Sequence, residues 1–198
     1  MRDSAARSSK WLTSLKLGET VYFKNSTKTD SSYKNREYLL CELSDGTLGW
    51  VPSYGIVKKS RPAAVIKNTP VYLRPDLLTI TEKYLPAMEF ICITREKDEW
   101  VEIITSKKKT RGWILKENIT FNKKNIAFAN EARVMLTNNS SLEKYEKYKY
   151  ILDNTSYPNS VYIPYVEEMY KKTKEEYMDN KSSVRINRYK EQYYRREE

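Results

Sequence analysis

Residues Glu99 to Leu115 read EWVEIITSKKKTRGWIL, and the reading of the chain works outward from them. Trp100 opens a run in which Val101, Ile103 and Ile104 are set against Glu102. Lys107, Lys108 and Lys109 form a polar tip, and Gly112-Trp113 opens a second apolar run. Period-two alternation broken by a basic turn predicts a β-hairpin. A near copy, EYLLCELSDGTLGWV, lies at Glu37 to Val51. Tyr38 stands there for Trp100, Ser44-Asp45-Gly46 for the lysine tip, and Gly49-Trp50 for Gly112-Trp113. Two copies of one pattern predict a duplicated β module.

Extending both copies outward sets Met1-Arg2 on Leu73-Arg74 and Leu17-Gly18-Glu19 beside Pro86-Ala87-Met88. Thr20 to Phe23 then aligns with Glu89 to Cys92. Each copy runs as a short strand ending in Arg, a polar arm, a strand after a turn, and the aromatic hairpin. The Gly before each Trp is expected to bend the strand where it meets the loop. Asn25 to Asn35, NSTKTDSSYKN, is a polar insertion of loop character in the first copy. The first copy also lacks a counterpart of Ala64 to Tyr72. Either the sequence is cut there or another segment supplies that edge, because an open sheet edge is a liability. The domain boundaries expected are 1–57, an incomplete barrel; 58–62, the basic linker KKSRP; 63–121, a second barrel; and 122–198, a helical region. A linker that short predicts fixed packing of the two barrels.

Beyond Phe121 the period changes to three and four. Asn125 to Leu136 carries Ile126, Ala129, Ala132 and Leu136 on one stripe. Ser140 and Glu143 form a capping-box pair ahead of a helix over Leu142 to Leu152. Ser160 caps a third helix to about Asp179, with Tyr165, Val166, Met169, Tyr170 and Tyr177 inward and Pro164 tolerated in its first turn. Val184 to Glu198 reads as a further helix.

Composition narrows the function classes. The chain has 198 residues and a net charge of +10. Up to residue 121 there are 21 basic and 14 acidic residues, and after it 15 and 12, so most of the excess lies in the β part. Such a surface attracts polyanions, or simply keeps the protein in solution. Histidine is absent. That removes Ser-His-Asp and Cys-His nucleophiles, zincin-type sites and imidazole acid–base chemistry. Paired carboxylates are the remaining route to hydrolysis, and no pair stands out: Glu167-Glu168 and Glu175-Glu176 read as helix surface. Cys41 and Cys92 fall at non-equivalent strand positions, opposite Ile103 and Phe23, and read as small buried hydrophobes rather than a bridge or a metal pair. No cofactor and no metal are expected. No apolar run is long enough for a membrane span. The opening MRDSAARSSKWLTSL has no signal-peptide core, which leaves the mature part of an exported protein open.

The ordered set of motifs, present twice, resembles bacterial SH3-like (SH3b) domains. It comprises Leu73-Arg74 with Met1-Arg2, the strand entry Leu17-Gly18-Glu19-Thr20-Val21, the aromatics Tyr38 and Trp100, and the two Gly-Trp pairs. The resemblance implies a multi-domain α+β chain: two tandem SH3-like β-barrels, the first without its leading strand, then a small helical hairpin or bundle. Tyr148 to Tyr170, a Tyr-rich helix, then YPNS, then a helix, loosely resembles tetratricopeptide repeats. SH3b domains are commonly non-catalytic anchors, so the function implied is recognition of cell-wall peptide or of a cell-envelope partner. The compartment implied is the envelope or periplasm, with the cytoplasm as alternative. Trp100, Trp113 and Tyr72 in one copy, and Tyr38, Trp50 and Tyr54 in the other, are the candidate ligand-binding residues. The same six also suit the barrel core, Tyr54 and Tyr72 most of all, and the two Trp suit covers over the barrel ends. An interaction scaffold whose helices hold a protein is the second reading. A third is non-specific nucleic-acid binding through Lys107, Lys108, Lys109 and Arg111, which a solvated hairpin tip explains as well.

Overall fold

The computed structural model of the chain describes residues 1–105, 110–138, 140 and 142–194, with side chains to residue 182. It is a mixed α+β structure with a three-stranded sheet, a curled seven-stranded sheet and three helices. Residues Met1–Asn122 form one compact unit and Lys123–Glu198 a second.

In the first sheet β1 (Tyr22–Asp30), β2 (Arg36–Glu42) and β3 (Leu48–Pro52) are neighbours in that order. The β2–β3 turn closes with Leu43 N–H on Thr47 O at 2.9 Å and Thr47 N–H on the Asp45 carboxylate at 2.9 Å. The second sheet runs β10-β4-β7-β8-β9-β5-β6. Its strands are β4 (Arg61–Val65), β5 (Thr69–Tyr72), β6 (Ile80–Leu85), β7 (Phe90–Lys97), β8 (Trp100–Thr105), β9 (Arg111–Leu115) and β10 (Ile119–Thr120). Arg61 and Pro62 belong to β4, so the connection between the sheets is shorter than the linker read from sequence. Proline is tolerated in this ladder because Pro62 lies near the start of β4, where β7 alone pairs with it and β10 reaches only Ala64 and Val65.

The two hairpins share one register. Tyr38, Leu39, Leu40, Cys41 and Glu42 face Pro52, Val51, Trp50, Gly49 and Leu48. Trp100, Val101, Glu102, Ile103 and Ile104 face Leu115, Ile114, Trp113, Gly112 and Arg111. Each hairpin leaves through a short 3-10 turn, Ser53–Gly55 or Lys116–Asn118. The reason for glycine in both Gly-Trp pairs differs from the bend expected. A Cβ on Gly49 would stand 2.5 Å from Met1 Cγ and 2.8 Å from the Arg2 carbonyl oxygen. On Gly112 it would stand 2.5 Å from Val71 Cγ1 and 2.8 Å from the Tyr72 carbonyl oxygen. A crossing strand lies directly over each glycine.

That contact corrects the outer alignment. Arg2 pairs with Trp50 as Tyr72 pairs with Trp113, so Met1-Arg2 corresponds to Val71-Tyr72 and not to Leu73-Arg74. The slip is two residues, and the residues keep their face. The turn before β1 slips by one. Glu19 N–H bonds Lys16 O and Glu89 N–H bonds Pro86 O, which puts Gly18 (φ 87°) with Met88 (φ 63°) rather than with Ala87. Cys92 therefore matches Tyr22 and not Phe23, and its thiol is half-buried, whereas Cys41 is fully buried and its thiol is pushed up by desolvation. Neither cysteine is in a disulfide.

The cores differ in size. Ala63, Val65, Val71, Leu85, Ile91, Ile93, Val101, Ile103, Ile114 and Ile119 fill the second sheet. Met1, Leu39, Cys41, Leu43 and Val51 fill the first, with Leu15, Val21 and Ile56 packed at its margin. The sheets meet where the Phe90 ring lies over Gly18, 2.7 Å from where a Cβ would be.

In the second unit α1 (Lys123–Thr137), α2 (Lys144–Asn154) and α3 (Ile163–Tyr194) bury Ile126, Phe128, Ala129, Ala132, Tyr148, Ile151, Tyr162 and Val166. Phe128 stacks on Tyr162 at 5.9 Å and Tyr145 meets Tyr177 at 5.0 Å. The capping box lies one turn later than read from sequence, with Glu143 as cap and Glu146 returning to it. The stretch from Val184 continues α3 instead of starting a new helix. Ser182 hydroxyl donates to Met178 O at 2.9 Å, so the Ser-Ser pair is accommodated within the helix. No helix among the described residues is long and apolar enough to cross a membrane.

Candidate binding face

Period two divides β8 and β9 into two faces. Val101, Ile103 and Ile114 point to the core, so Trp100, Glu102 and Trp113 point away from it. Tyr72 joins them from β5, opposite Trp113, and Arg95 from β7, opposite Glu102. A register shift in β7 between Ile93 and Arg95 brings the Arg95 side chain to this outer face.

The centre of the face is Glu102, only 4% exposed. Arg95 grips it bidentately, Nε to Oε2 at 2.7 Å and Nη2 to Oε1 at 2.9 Å. Thr94 Oγ1 donates to Oε2 at 2.8 Å, and Arg111 Nε donates to Oε1 at 3.2 Å. The hydrogen bonds from Arg95, against the opposing cost of burial and with further help from Thr94 and Arg111, hold the carboxyl at about 2. It is an anion at every physiological pH, so it has no proton to give near neutrality. Two guanidiniums on one carboxylate leave one net positive charge. The Arg95 guanidinium also lies 5.6 Å from the Trp113 ring centroid. Beside it Tyr72 and Trp100 meet edge to face at 4.9 Å and 82°.

Of the six aromatics expected to bind, Trp100 and Trp113 are half-buried and form the accessible part of this face. Tyr72 is buried and braces Trp100. The Trp side chains lie on the outer face of each sheet, not across a barrel end. In the first sheet Tyr38 is fully enclosed (0% exposed), and its hydroxyl has no hydrogen-bond partner among the described residues. Trp50 is buried too, with Lys28 Nζ 5.2 Å over its ring. Tyr54, read as the better core residue, is 65% exposed because it rides on the 3-10 turn outside the sheet. The second copy of the face is thus open where the first is closed. The basic tip expected at Lys107, Lys108 and Lys109 lies outside the described residues. Arg111, assigned to that patch, turns instead to Glu102.

Sequence reading missed Glu102, Arg95 and Thr94. Alternation alone sets Glu102 against Val101 and Ile103, and its place opposite Trp113 in the hairpin pairing is the one further signal. It also missed a cation–aromatic ladder on the first unit. Arg7 and Arg36 lie 4.1 and 4.5 Å from the Tyr33 ring, and Arg36 lies 5.3 Å from Tyr54. Asp30 anchors it by accepting from Arg7 N–H at 2.9 Å and from Ser32. The polar insertion is therefore an ordered arm. In the helical unit a cleft lined by Phe128, Met135, Tyr150 and Ile151 offers a carboxylate, Glu131, and no cation.

No protein-family model matches the chain, and no curated protein matches it in sequence.

Proposed function

We propose that the chain is a non-catalytic binding protein with two SH3-like modules of the bacterial type, and that the outer face of β8 and β9 takes a carboxylate-bearing peptide. Cell-wall stem peptide is the ligand class that joins this chemistry to the motif resemblance, and the cell envelope is the compartment that goes with it. The observation that carries the reading is the arrangement around Glu102: a buried anion fixes two guanidiniums beside half-exposed indoles. Each guanidinium keeps donors free of that carboxylate geometry, since Arg carries five. A ligand carboxylate pairs with the surplus charge while its aliphatic part lies on the Trp rings. Arg positions such a ligand better than Lys because its planar fork is already oriented.

Co-sedimentation with insoluble peptidoglycan tests the reading. Intact protein is expected in the pellet, Trp113→Ala and Arg111→Gln in the supernatant. Arg111→Gln leaves the core side of the sheet untouched and keeps Arg95 on Glu102, and a urea melt of that variant separates loss of binding from loss of fold. Failure of the intact protein to sediment, or equal sedimentation of all three, overturns it.

A further inference from the structure

Three cations converge on one ring at the tip of the β1–β2 hairpin. The Arg7 guanidinium lies 4.1 Å from the Tyr33 centroid, that of Arg36 4.5 Å, and Lys34 Nζ 6.0 Å. Arg36 also lies 5.3 Å from the Tyr54 ring. Lys28 shares the face of Arg36, by their pairing with Tyr38 and Asp30, and its Nζ stands 5.2 Å over Trp50. Among the described residues none of these four cations makes an ion pair. Asp30, opposite Arg36, is buried and turned to the hairpin itself: it accepts from Arg7 N–H at 2.9 Å and from the Ser32 N–H and hydroxyl.

Like charges this close repel, and the main chain holds them together. The bond from Arg7 N–H to Asp30 fixes one side. On the other, Lys34 and Asn35 take left-handed conformations (φ 53° and 49°), and Arg36 N–H closes on Tyr33 O at 3.2 Å. The fold does not itself call for cations here, because the matching β7–β8 turn of the second copy carries Asp98 and Glu99. A guanidinium over a ring uses its face, and its N–H donors lie in its plane, free to take an anion. Arg95 differs in that Glu102 fills its fork.

We propose that this patch binds single-stranded nucleic acid, with Arg7, Lys28, Lys34 and Arg36 on its phosphates and the Tyr54 ring under an unpaired base. The charge calls for a polyanion, and the ring selects among polyanions. Tyr54 is 65% exposed beside Arg36, so a base stacks on it, whereas a polymer without flat rings gains nothing there. A duplex keeps its bases inside the stack and offers none to Tyr54. The patch shares no residue with the peptide face on β8 and β9.

The probe is a fluorescein-labelled oligothymidylate of about twelve nucleotides, titrated into the intact chain by anisotropy between about 50 and 200 mM NaCl. Four cations at roughly 0.7 per single-strand phosphate give an expected log–log salt slope of about −3. Arg7→Gln and Arg36→Gln each weaken binding about fivefold and flatten the slope by about 0.7, with the fold checked by urea unfolding. Tyr54→Leu weakens binding about tenfold and leaves the slope unchanged. The pair Lys83→Gln with Lys97→Gln removes the same charge from the second sheet and leaves the affinity within about twofold. Trp113→Ala binds the probe as the parent does, which separates this patch from the peptide face. Equal weakening by the second-sheet pair would show charge attraction alone and overturns the proposal. So does absence of binding at the lowest salt, indifference to Tyr54→Leu, or equal affinity for a duplex of the same length or for inorganic polyphosphate.

Discussion

Replacing Glu102 by Gln removes the charge that organises the outer face while keeping its shape. Its carboxyl sits at about 2 against an ordinary value of 4.5, which at roughly 1.4 kcal/mol for each tenfold step sets a ceiling of about 3 kcal/mol. Arg95 and Arg111 are about two-thirds exposed, so solvent screens their side of each pair. We therefore expect about 1 kcal/mol, the upper end of what exposed pairs give. The sign follows from a depressed folded value. The contribution is complete above pH 4.5 and is lost as pH falls from there toward 2. All four Trp residues, at 11, 50, 100 and 113, lie in the β unit, so urea unfolding followed by Trp fluorescence reports on that unit alone. With a slope of about 1–1.5 kcal/mol per molar urea, Glu102→Gln lowers the midpoint by about 1 M at pH 7. At pH 2.5 the two midpoints draw together. A gap of the same size at both pH values, or none at pH 7 in low salt, refutes the ion-pair account of this face.

Gly112→Ala forces a methyl into Val71 and the Tyr72 carbonyl and should cost about 2–3 kcal/mol by the same fluorescence assay, whereas Gly55→Ala, with open space around it, should change the midpoint little. Equal effects at both positions would show that the strand crossing is not what demands glycine. Tyr38→Phe removes a buried hydroxyl that lacks a partner among the described residues, so thermal melting should show an unchanged or higher midpoint, equivalent to at most about 1 kcal/mol of added stability. A clear loss of stability would mean that the hydroxyl is satisfied in solution.

The hairpins were legible because strict period two and the repeated Gly-Trp pair fix both face and register, and Tyr38 and Trp100 fell into matching positions. The flanking alignment was not, because turns and bulges break the count. Met88 takes a left-handed conformation that sequence reading assigns to glycine, and this moved the β7 alignment by one. Helix positions in the second unit followed from apolar spacing, but their ends did not. The Glu143 cap and the run of α3 through Ser182 depend on side-chain to backbone bonds that pattern alone does not reveal. The candidate face was half visible. Its aromatics are conspicuous in a strand pattern. Its organising anion reads as an ordinary outward Glu until Arg95, displaced by the register shift in β7, is seen to reach it.

The Phe90 ring over Gly18 also orders events during synthesis. Residues 1–57 carry every strand of the first sheet, yet the ring that closes over their turn belongs to β7. As the chain emerges N-terminus first, that turn has no cover until β7 has been made. The later-made half thus supplies one wall of the earlier one.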